Sequence, residues 1–225
     1  MNKQQQQKSI TYKIFSILSP IKIFFFLKLT NLINWIAILL LEFVGECQWF
    51  YQRFKVSKEE NLTIDGVTLT FIPSPDTETR SHMCVYDNNH KVLYLGDNSM
   101  GTLHNTLTPR GARVRDANFW GNLFYHLYLK FGNDVNAIYQ GHGLPHFKLT
   151  TRPDNLKWFL LDSASAYKFP SDQALANEGV KLNEIGNQLV IPDEISKTWY
   201  VRDHYGNHSF NSRGAVQRYL GFYDG

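Results

Sequence analysis

The polar segment Asp97-Asn-Ser-Met-Gly-Thr-Leu-His-Asn-Thr-Leu-Thr-Pro-Arg-Gly-Ala-Arg-Val-Arg-Asp116 constrains the fold most, because of what flanks it. Before it, Lys91-Val-Leu-Tyr-Leu-Gly96 reads as a buried strand. After it, Phe119, Trp120, Leu123, Phe124, Leu127 and Phe131 recur at helical spacing. A strand, a long polar loop and an amphipathic helix in that order describe an α/β unit whose loop is carried by a rigid scaffold. Such loops are where sites are built. This one holds an acid, a His-Asn pair and three arginines.

The rest of the chain supports an α/β reading. Leu62-Thr-Ile and Val67-Thr-Leu-Thr-Phe-Ile72 flank Asp65-Gly66, the dipeptide of a tight hairpin turn, and Pro73 and Pro75 end the second strand. A second pair, Met83 to Tyr86 and Lys91 to Leu95, is joined by the turn-forming Asp87-Asn-Asn-His90. A helix from about Asp116 to Phe131 follows, with Asp116 as N-cap and Gly132 as stop, and then a short strand, Ala137 to Gln140. After Thr151 the strands cease. Helical patterns take over in Asp154 to Ala176, Leu182 to Leu189 and Arg213 to Tyr219, separated by Pro192 and a loop from Asp203 to Ser212. An α/β domain at 61–150 followed by a helical module at 151–225 is the organisation this order implies.

Residues 1–60 differ in character. A Gln run precedes an apolar stretch broken by Lys22, Lys28, Glu42 and Glu46, whose longest uncharged run is Leu29 to Leu41. A membrane-spanning helix needs roughly 20 apolar residues, so this run is short unless Glu42 sits at an interface. A membrane anchor through residues 29–45, a cleaved signal and an apolar segment that does neither all stay open. The compartment is not indicated.

With 23 Lys and Arg against 20 Asp and Glu, the charge is small and scattered, which gives no argument for nucleic acid. Cys47 and Cys84 are the only cysteines, so neither a disulfide framework nor a thiolate zinc site is indicated. The sequons Asn61-Leu-Thr and Asn207-His-Ser matter only on the secretory route.

Two acids and a histidine stand at the C-terminal exits of successive strands: Glu78, Asp97 and His142. Strand C-termini are where α/β folds place ligands. Carboxylate oxygen and imidazole nitrogen are ordinary zinc ligands, while solvated loop acids are equally ordinary. His142 and His146 have the spacing of a helical zinc pair, but Gly143 and Pro145 argue against a helix there, which leaves His146 either a structural role or one of supporting a ligand residue from behind. Among the arginines, Arg113 and Arg115 are expected to pair with Asp116 and other surface acids. Arg110, held between Pro109 and Gly111, is the one suited to gripping an oxyanion.

These residues carry a resemblance. Thr63-Ile-Asp-Gly-Val67, Leu103-His-Asn-Thr-Leu-Thr-Pro-Arg-Gly-Ala112, Val114-Arg-Asp116 with Trp120, Gly141-His-Gly-Leu-Pro145 and Tyr219-Leu-Gly-Phe-Tyr-Asp-Gly225 are similar to the alkyl sulfatases. These form the dodecyl-sulfate-hydrolysing branch of the metallo-β-lactamase superfamily. The resemblance spans roughly 60–225. It implies the C-terminal part of an αββα fold followed by an all-helical dimerisation module, a homodimer, and two zinc ions per site. Carried over, Glu78 is a terminal ligand of one zinc, Asp97 the bridging carboxylate where these sulfatases usually have Glu, and His142 a ligand of the other zinc. Arg110, with Asn105 nearby, holds the sulfate oxygens.

The sequence also departs from that pattern. None of its eight histidines forms the family's His-x-His-x-Asp-His motif, and His82 replaces an acid in Pro75-Asp-Thr-Glu-Thr-Arg-Ser-His-Met83. The expectation is thus half of a catalytic domain plus its dimerisation module, with strand edges and apolar faces left uncovered. Two readings of function follow. One is a zinc hydrolase that cleaves long-chain alkyl sulfate esters such as dodecyl sulfate to alcohol and sulfate. The alternative is a non-catalytic truncated remnant that retains a dimerisation surface.

Overall fold

The hairpin predicted at Asp65-Gly66 opens the fold. Strand β1 (Glu60–Ile64) pairs antiparallel with β2 (Val67–Pro73), and both turn residues adopt positive φ, 50° at Asp65 and 83° at Gly66. That conformation selects Asp-Gly here. The computed structural model describes residues 55–108, 111–172 and 174–221, and from Val56 onward these belong to one unit. The segment read as a candidate anchor, 29–45, lies outside the described residues, as do Cys47 and Arg110. Among the described residues no helix is long and apolar enough to cross a membrane.

Strands β3 (Met83–Asp87), β4 (Val92–Tyr94), β5 (Ala137–Tyr139) and β6 (His146–Phe147) complete a six-stranded sheet in the order β1-β2-β3-β4-β5-β6. All neighbours are antiparallel except β4 and β5, which run parallel across the crossover helix α1 (Ala117–Phe131). By these pairings β2, β4 and β5 point the same way, so the loops after them leave from one sheet edge. The two-residue β6 has no period for sequence to show. It forms because His146 pairs with Ile138 and Phe147 with Ala137.

The predicted helix after the polar loop begins as expected: the Asp116 carboxylate accepts from the Phe119 amide at 2.8 Å. Its end differs in kind. Gly132 keeps helical dihedrals (φ −57°, ψ −30°) instead of turning left-handed. What it supplies is the lack of a side chain, since a Cβ there would collide with the Tyr128 carbonyl and press on Lys157.

Helix α2 (Asn155–Asp172) lies along α1, and α3 (Leu182–Gln188), α4 (Asp193–Ser196) and α5 (His208–Leu220) follow. The core forms where Leu93 and Ile138 of the sheet meet Trp120, Phe124 and Leu127 of α1 and Leu156, Phe159 and Leu160 of α2. Each such side chain contributes roughly 1.5–3 kcal/mol by leaving water. The stack of Trp120 on Tyr167, centroids 4.5 Å apart and 6° from parallel, locks the helices together.

Two helical expectations change. The helix predicted from Asp154 ends at Asp172, short of Ala176, and a separate 3₁₀ turn spans Ala174–Ala176. Pro170, inside the last turn, cannot donate to the helix ladder. The stretch 203–212 is not all loop, because α5 starts at His208, five residues before Arg213. The buried positions of its first five residues are His208, Asn211 and Ser212, all polar, so no apolar period marks the start.

The two faces of the sheet differ. Toward the helices point Thr70, Ile72, Cys84, Tyr86, Leu93 and Ile138, all buried. Toward the other side point Leu69, Phe71, Val85, Tyr94, Tyr139 and Phe147, all half-buried or exposed. No helix among the described elements covers that second face.

Candidate functional site

Topology brings the predicted residues to one edge. Glu78 lies in the loop after β2, Asp97 in a 3₁₀ turn (Gly96–Asn98) directly after β4, and His142 just past β5. Asp97 and His142 meet, with His142 Nε2 3.5 Å from Asp97 Oδ1. The approach depends on Gly141. A Cβ there would overlap the Asp97 carboxylate and lie 2.9 Å from its amide nitrogen. The Gly141 amide donates to the Gly96 carbonyl at 2.7 Å, tying the two loops together.

Glu78 has a different partner. Arg115 Nη2 donates to Glu78 Oε1 at 2.8 Å and Arg115 Nε to the Glu78 carbonyl at 2.8 Å. The same guanidinium donates through Nη1 to the Asn105 carbonyl at 2.8 Å and to the Asn105 side-chain oxygen. Both charged groups are largely buried, the side chains 11% and 18% exposed. The expectation that Arg115 pairs at the surface is therefore corrected. Arg113 does stay outside, 4.0 Å from Asp76, while Asp116 takes Arg218 at 3.5 Å.

Two histidines that sequence reasoning did not place in a site line this edge. His104 is buried between Trp120 and Tyr205, with ring centroids at 5.3 and 5.0 Å, and its Nδ1 is 3.2 Å from Arg115 Nη1. Burial first, and then the Arg115 charge, push its pKa down to about 4. His82 rests against Gly96, where a Cβ would come within 2.7 Å of its ring. Burial lowers the His82 pKa, and the negative charges of Glu78 and Asp97 oppose that shift. Its Nδ1 faces Asn98 Nδ2 at 3.1 Å and Ser74 Oγ at 3.4 Å. The one sequence signal for His82 is its place where an acid is usual in the resemblance; Arg115 stands in the quoted Val114-Arg-Asp116.

His146 has the structural role expected. Its ring packs on Phe159 at 4.6 Å, and Nε2 lies 3.3 Å from Gln140 Nε2. Gln140 in turn accepts from Ser99 and donates to the Leu144 carbonyl, which holds the turn that presents His142.

The donor set is a test for zinc. Asp97 and His142 have the right atoms and stand together, but Glu78 is engaged by a guanidinium. Among the described residues no three His, Cys, Asp or Glu side chains converge as a metal group. Structural zinc takes four ligands and catalytic zinc three. The described residues do not fit a zinc site by themselves, so no chemical step is derived through one.

Comparison with known proteins bears on the family. The alkyl sulfatase dimerisation family model matches residues 181–225. An (R)-specific secondary-alkylsulfatase of Pseudomonas sp. is 38% identical over 169 residues, covering 74% of this chain and 25% of that protein. An alkyl/aryl-sulfatase of Saccharomyces cerevisiae is 32% identical, covering 73% and 25%. The solved structure of a stereoselective inverting sec-alkylsulfatase from Pseudomonas sp. superposes with a TM-score of 0.70 at 37% identity, covering 76% of this chain and 27% of that one. The chain spans about a quarter of the length of the curated relatives it matches. Over the residues compared, sequence and fold agree, and the chain belongs with the alkyl sulfatases.

Proposed function

We propose that the chain forms the ester-facing wall of an alkyl sulfatase-type hydrolase and binds long-chain alkyl sulfates, with hydrolysis requiring metal ligands beyond its described residues. The observation that carries this reading is the Asp97–His142 pair at 3.5 Å, set at the sheet edge. In the proposal Arg110, outside the described residues, and the Asn105 amide donate to the sulfate oxygens. A guanidinium offers a forked pair of N–H groups matched to an oxyanion. Asp97 and His142 are the chain's contribution to a metal-ligand set, and zinc is the metal proposed. Residues 181–225 are proposed to pair two copies, in keeping with the dimerisation model that they match.

The test uses the purified full chain, octyl sulfate well below its micelle concentration, and added zinc. Calorimetric binding of octyl sulfate that weakens at least tenfold in Arg110→Ala, without sulfate release, is the expected result. Absence of binding overturns the reading. Sulfate release abolished by a chelator would show that the ligand set is complete, and would overturn the second half of the proposal.

The Glu78–Arg115 ion pair favours a second reading, in which the chain is a non-catalytic partner that keeps the dimerisation surface. The guanidinium on Oε1 competes with a metal for this carboxylate. Under this reading octyl sulfate does not bind, while self-association persists.

A further inference from the structure

His208, the first residue of α5, has a side chain only 5% exposed, yet neither ring nitrogen has a hydrogen-bond partner among the described residues. The Asp203 carboxylate comes to 3.8 Å from Nε2 and is engaged by others, Oδ1 accepting from the His208 amide at 3.1 Å and Oδ2 from Asn207 Nδ2 at 2.7 Å. Leaving both nitrogens of a neutral imidazole unused in the interior costs free energy. What holds the ring there is the junction around it. The loop 202–207 and α5 both grip the segment 103–106. The Leu103 amide donates to the Arg202 carbonyl at 3.0 Å, and the Gly206 amide to the Leu103 carbonyl at 2.7 Å. A Cβ on Gly206 would collide with the His104 carbonyl, and Tyr205 stands edge-on to the His104 ring. From the helix, Asn211 donates to the His104 carbonyl and accepts from the Thr106 amide, each at 3.0 Å. Asn105 is thus held between loop and helix, and His208 lies where the two join.

We propose that His208 is an acid-sensitive latch: protonation of its ring loosens the 202–207 loop from the segment 103–106 and so weakens anion binding at Asn105. The effect on binding rests on the role proposed above for Asn105; the loosening does not. An imidazolium has two N–H donors and no acceptor. In the closed arrangement neither donor has an acceptor at hydrogen-bond distance, and an unpaired buried charge is costly. The ring nitrogens reach water when the loop lifts, so protons select the open form. Nearby charge does not reverse this. Asp203 and the Val201 carbonyl favour the charged ring, but burial outweighs them and lowers the His208 pKa. The other charged groups of these elements are engaged elsewhere. The Arg202 guanidinium lies 3.5 Å over the Trp199 ring, and Arg213 Nη2 donates to the Asn183 carbonyl and the Asn187 side chain. His204 is exposed, and His104 stays neutral down to about pH 4.

Amide hydrogen exchange of the full chain, read by NMR at Leu103 and Gly206 and corrected for intrinsic rates, tests it at about pH 7.5 and 5.5. One unit below the ordinary histidine pKa, a single ring protonated only in the open form raises the open population at most about tenfold. The expected result is a loss of protection of about three- to tenfold at the lower pH in wild type, and of less than about twofold in His208→Leu, which fills the site without titrating. His104→Gln should keep the wild-type loss, which separates the two rings. Circular dichroism checks folding, and His208→Gln takes the place of His208→Leu if the latter is unfolded. The His208 ring resonance in wild type should titrate below the ordinary histidine value whichever variant folds. Calorimetry with octyl sulfate reads the link to the site: on acidification the affinity should fall at least about threefold more in wild type than in His208→Leu, within the same one-proton ceiling. The latch is overturned if wild-type protection does not change, if His208→Leu loses as much as wild type, if His104→Gln abolishes the loss, or if the His208 ring titrates at or above its ordinary value. Loss of protection with equal affinity ratios in the two proteins overturns the link to Asn105. Absence of octyl sulfate binding at about pH 7.5 overturns the role proposed for Asn105, while hydrogen exchange alone decides the latch.

Discussion

Arg115 holds Glu78 by both ends of the residue, Nη2 on the carboxylate and Nε on the backbone carbonyl, each at 2.8 Å. One guanidinium thereby ties the loop after β2 to the loop before α1, and reaches Asn105 as well. The contact fixes the site's shape and decides what Glu78 is free to do.

Removing it is expected to be costly. Arg115→Ala strands a largely buried carboxylate, and breaking a buried pair costs about 3 kcal/mol or more. Arg115→Lys recovers the charge but not the fork, and should fall between the two. Urea unfolding monitored by tryptophan fluorescence reads both. Equal stability of Arg115→Ala and wild type would show that the pair is not formed in solution.

Gly141 is predicted to be essential to the Asp97–His142 approach. Gly141→Ala puts a methyl into the Asp97 carboxylate. Relief requires the two loops to part, at a cost of about 1–3 kcal/mol. A lower melting temperature, with a shifted His142 imidazole resonance by NMR, is the expected outcome. An unchanged His142 resonance would contradict it.

His104 gives the protein a defined acid sensitivity. Its pKa is pushed from the ordinary 6.5 down to about 4 in the folded state, so between these values the unfolded chain binds more protons than the folded one. Stability therefore rises with pH through that window and is lost as pH falls from about 6.5 towards 4. The full effect of this one group is up to about 3 kcal/mol, at 1.36 kcal/mol per unit. His82, His146 and His208, also lowered by burial, act in the same direction. His104→Gln should flatten the dependence of stability on pH between 4 and 6.5. A slope identical to wild type would refute the assignment.

Cys84 is expected to be inert. Its thiol is fully buried, burial raises its pKa to about 12, and Asn98 Nδ2 donates to it at 3.3 Å. The thiolate is the reactive form. Iodoacetamide followed by peptide mapping should find Cys84 unmodified at pH 8 in native protein and alkylated in urea.

Asn207 is committed to capping. Its side-chain oxygen accepts from the Ser209 amide at 2.8 Å and its nitrogen donates to Asp203 at 2.7 Å. Asn207→Ala should cost about 1 kcal/mol in chemical unfolding. A glycan on this amide would replace the bond to Asp203, so of the two sequons the exposed Asn61 on β1 is the accommodating one.

Much of the fold follows from local chemistry that any reader of the chain can see. The Asp65-Gly66 turn, the Asp116 cap and the apolar period of α1 are each specified within a few residues. So is the placement of Glu78, Asp97 and His142 after strands. The start of α5 was hidden because its inward face is polar: Asn211 accepts from the Thr106 amide and donates to the His104 carbonyl. Those partners lie more than a hundred residues away in sequence, and no local period encodes them.

The site divides along the same line. Residue type and spacing determined the family, the strand exits and the chemistry of an acid beside a histidine. Tertiary structure decided which acid stays available. Arg115, read from sequence as a surface partner of Asp116, turns inward to Glu78, while Arg218 stands 3.5 Å from Asp116 and 3.0 Å from Asp76. Asp97 is left to His142, because only a glycine at 141 leaves room for the two to meet. Pairing among charges depends on distance and burial, which a sequence does not carry, whereas turns, caps and amphipathic periods depend on near neighbours, which it does.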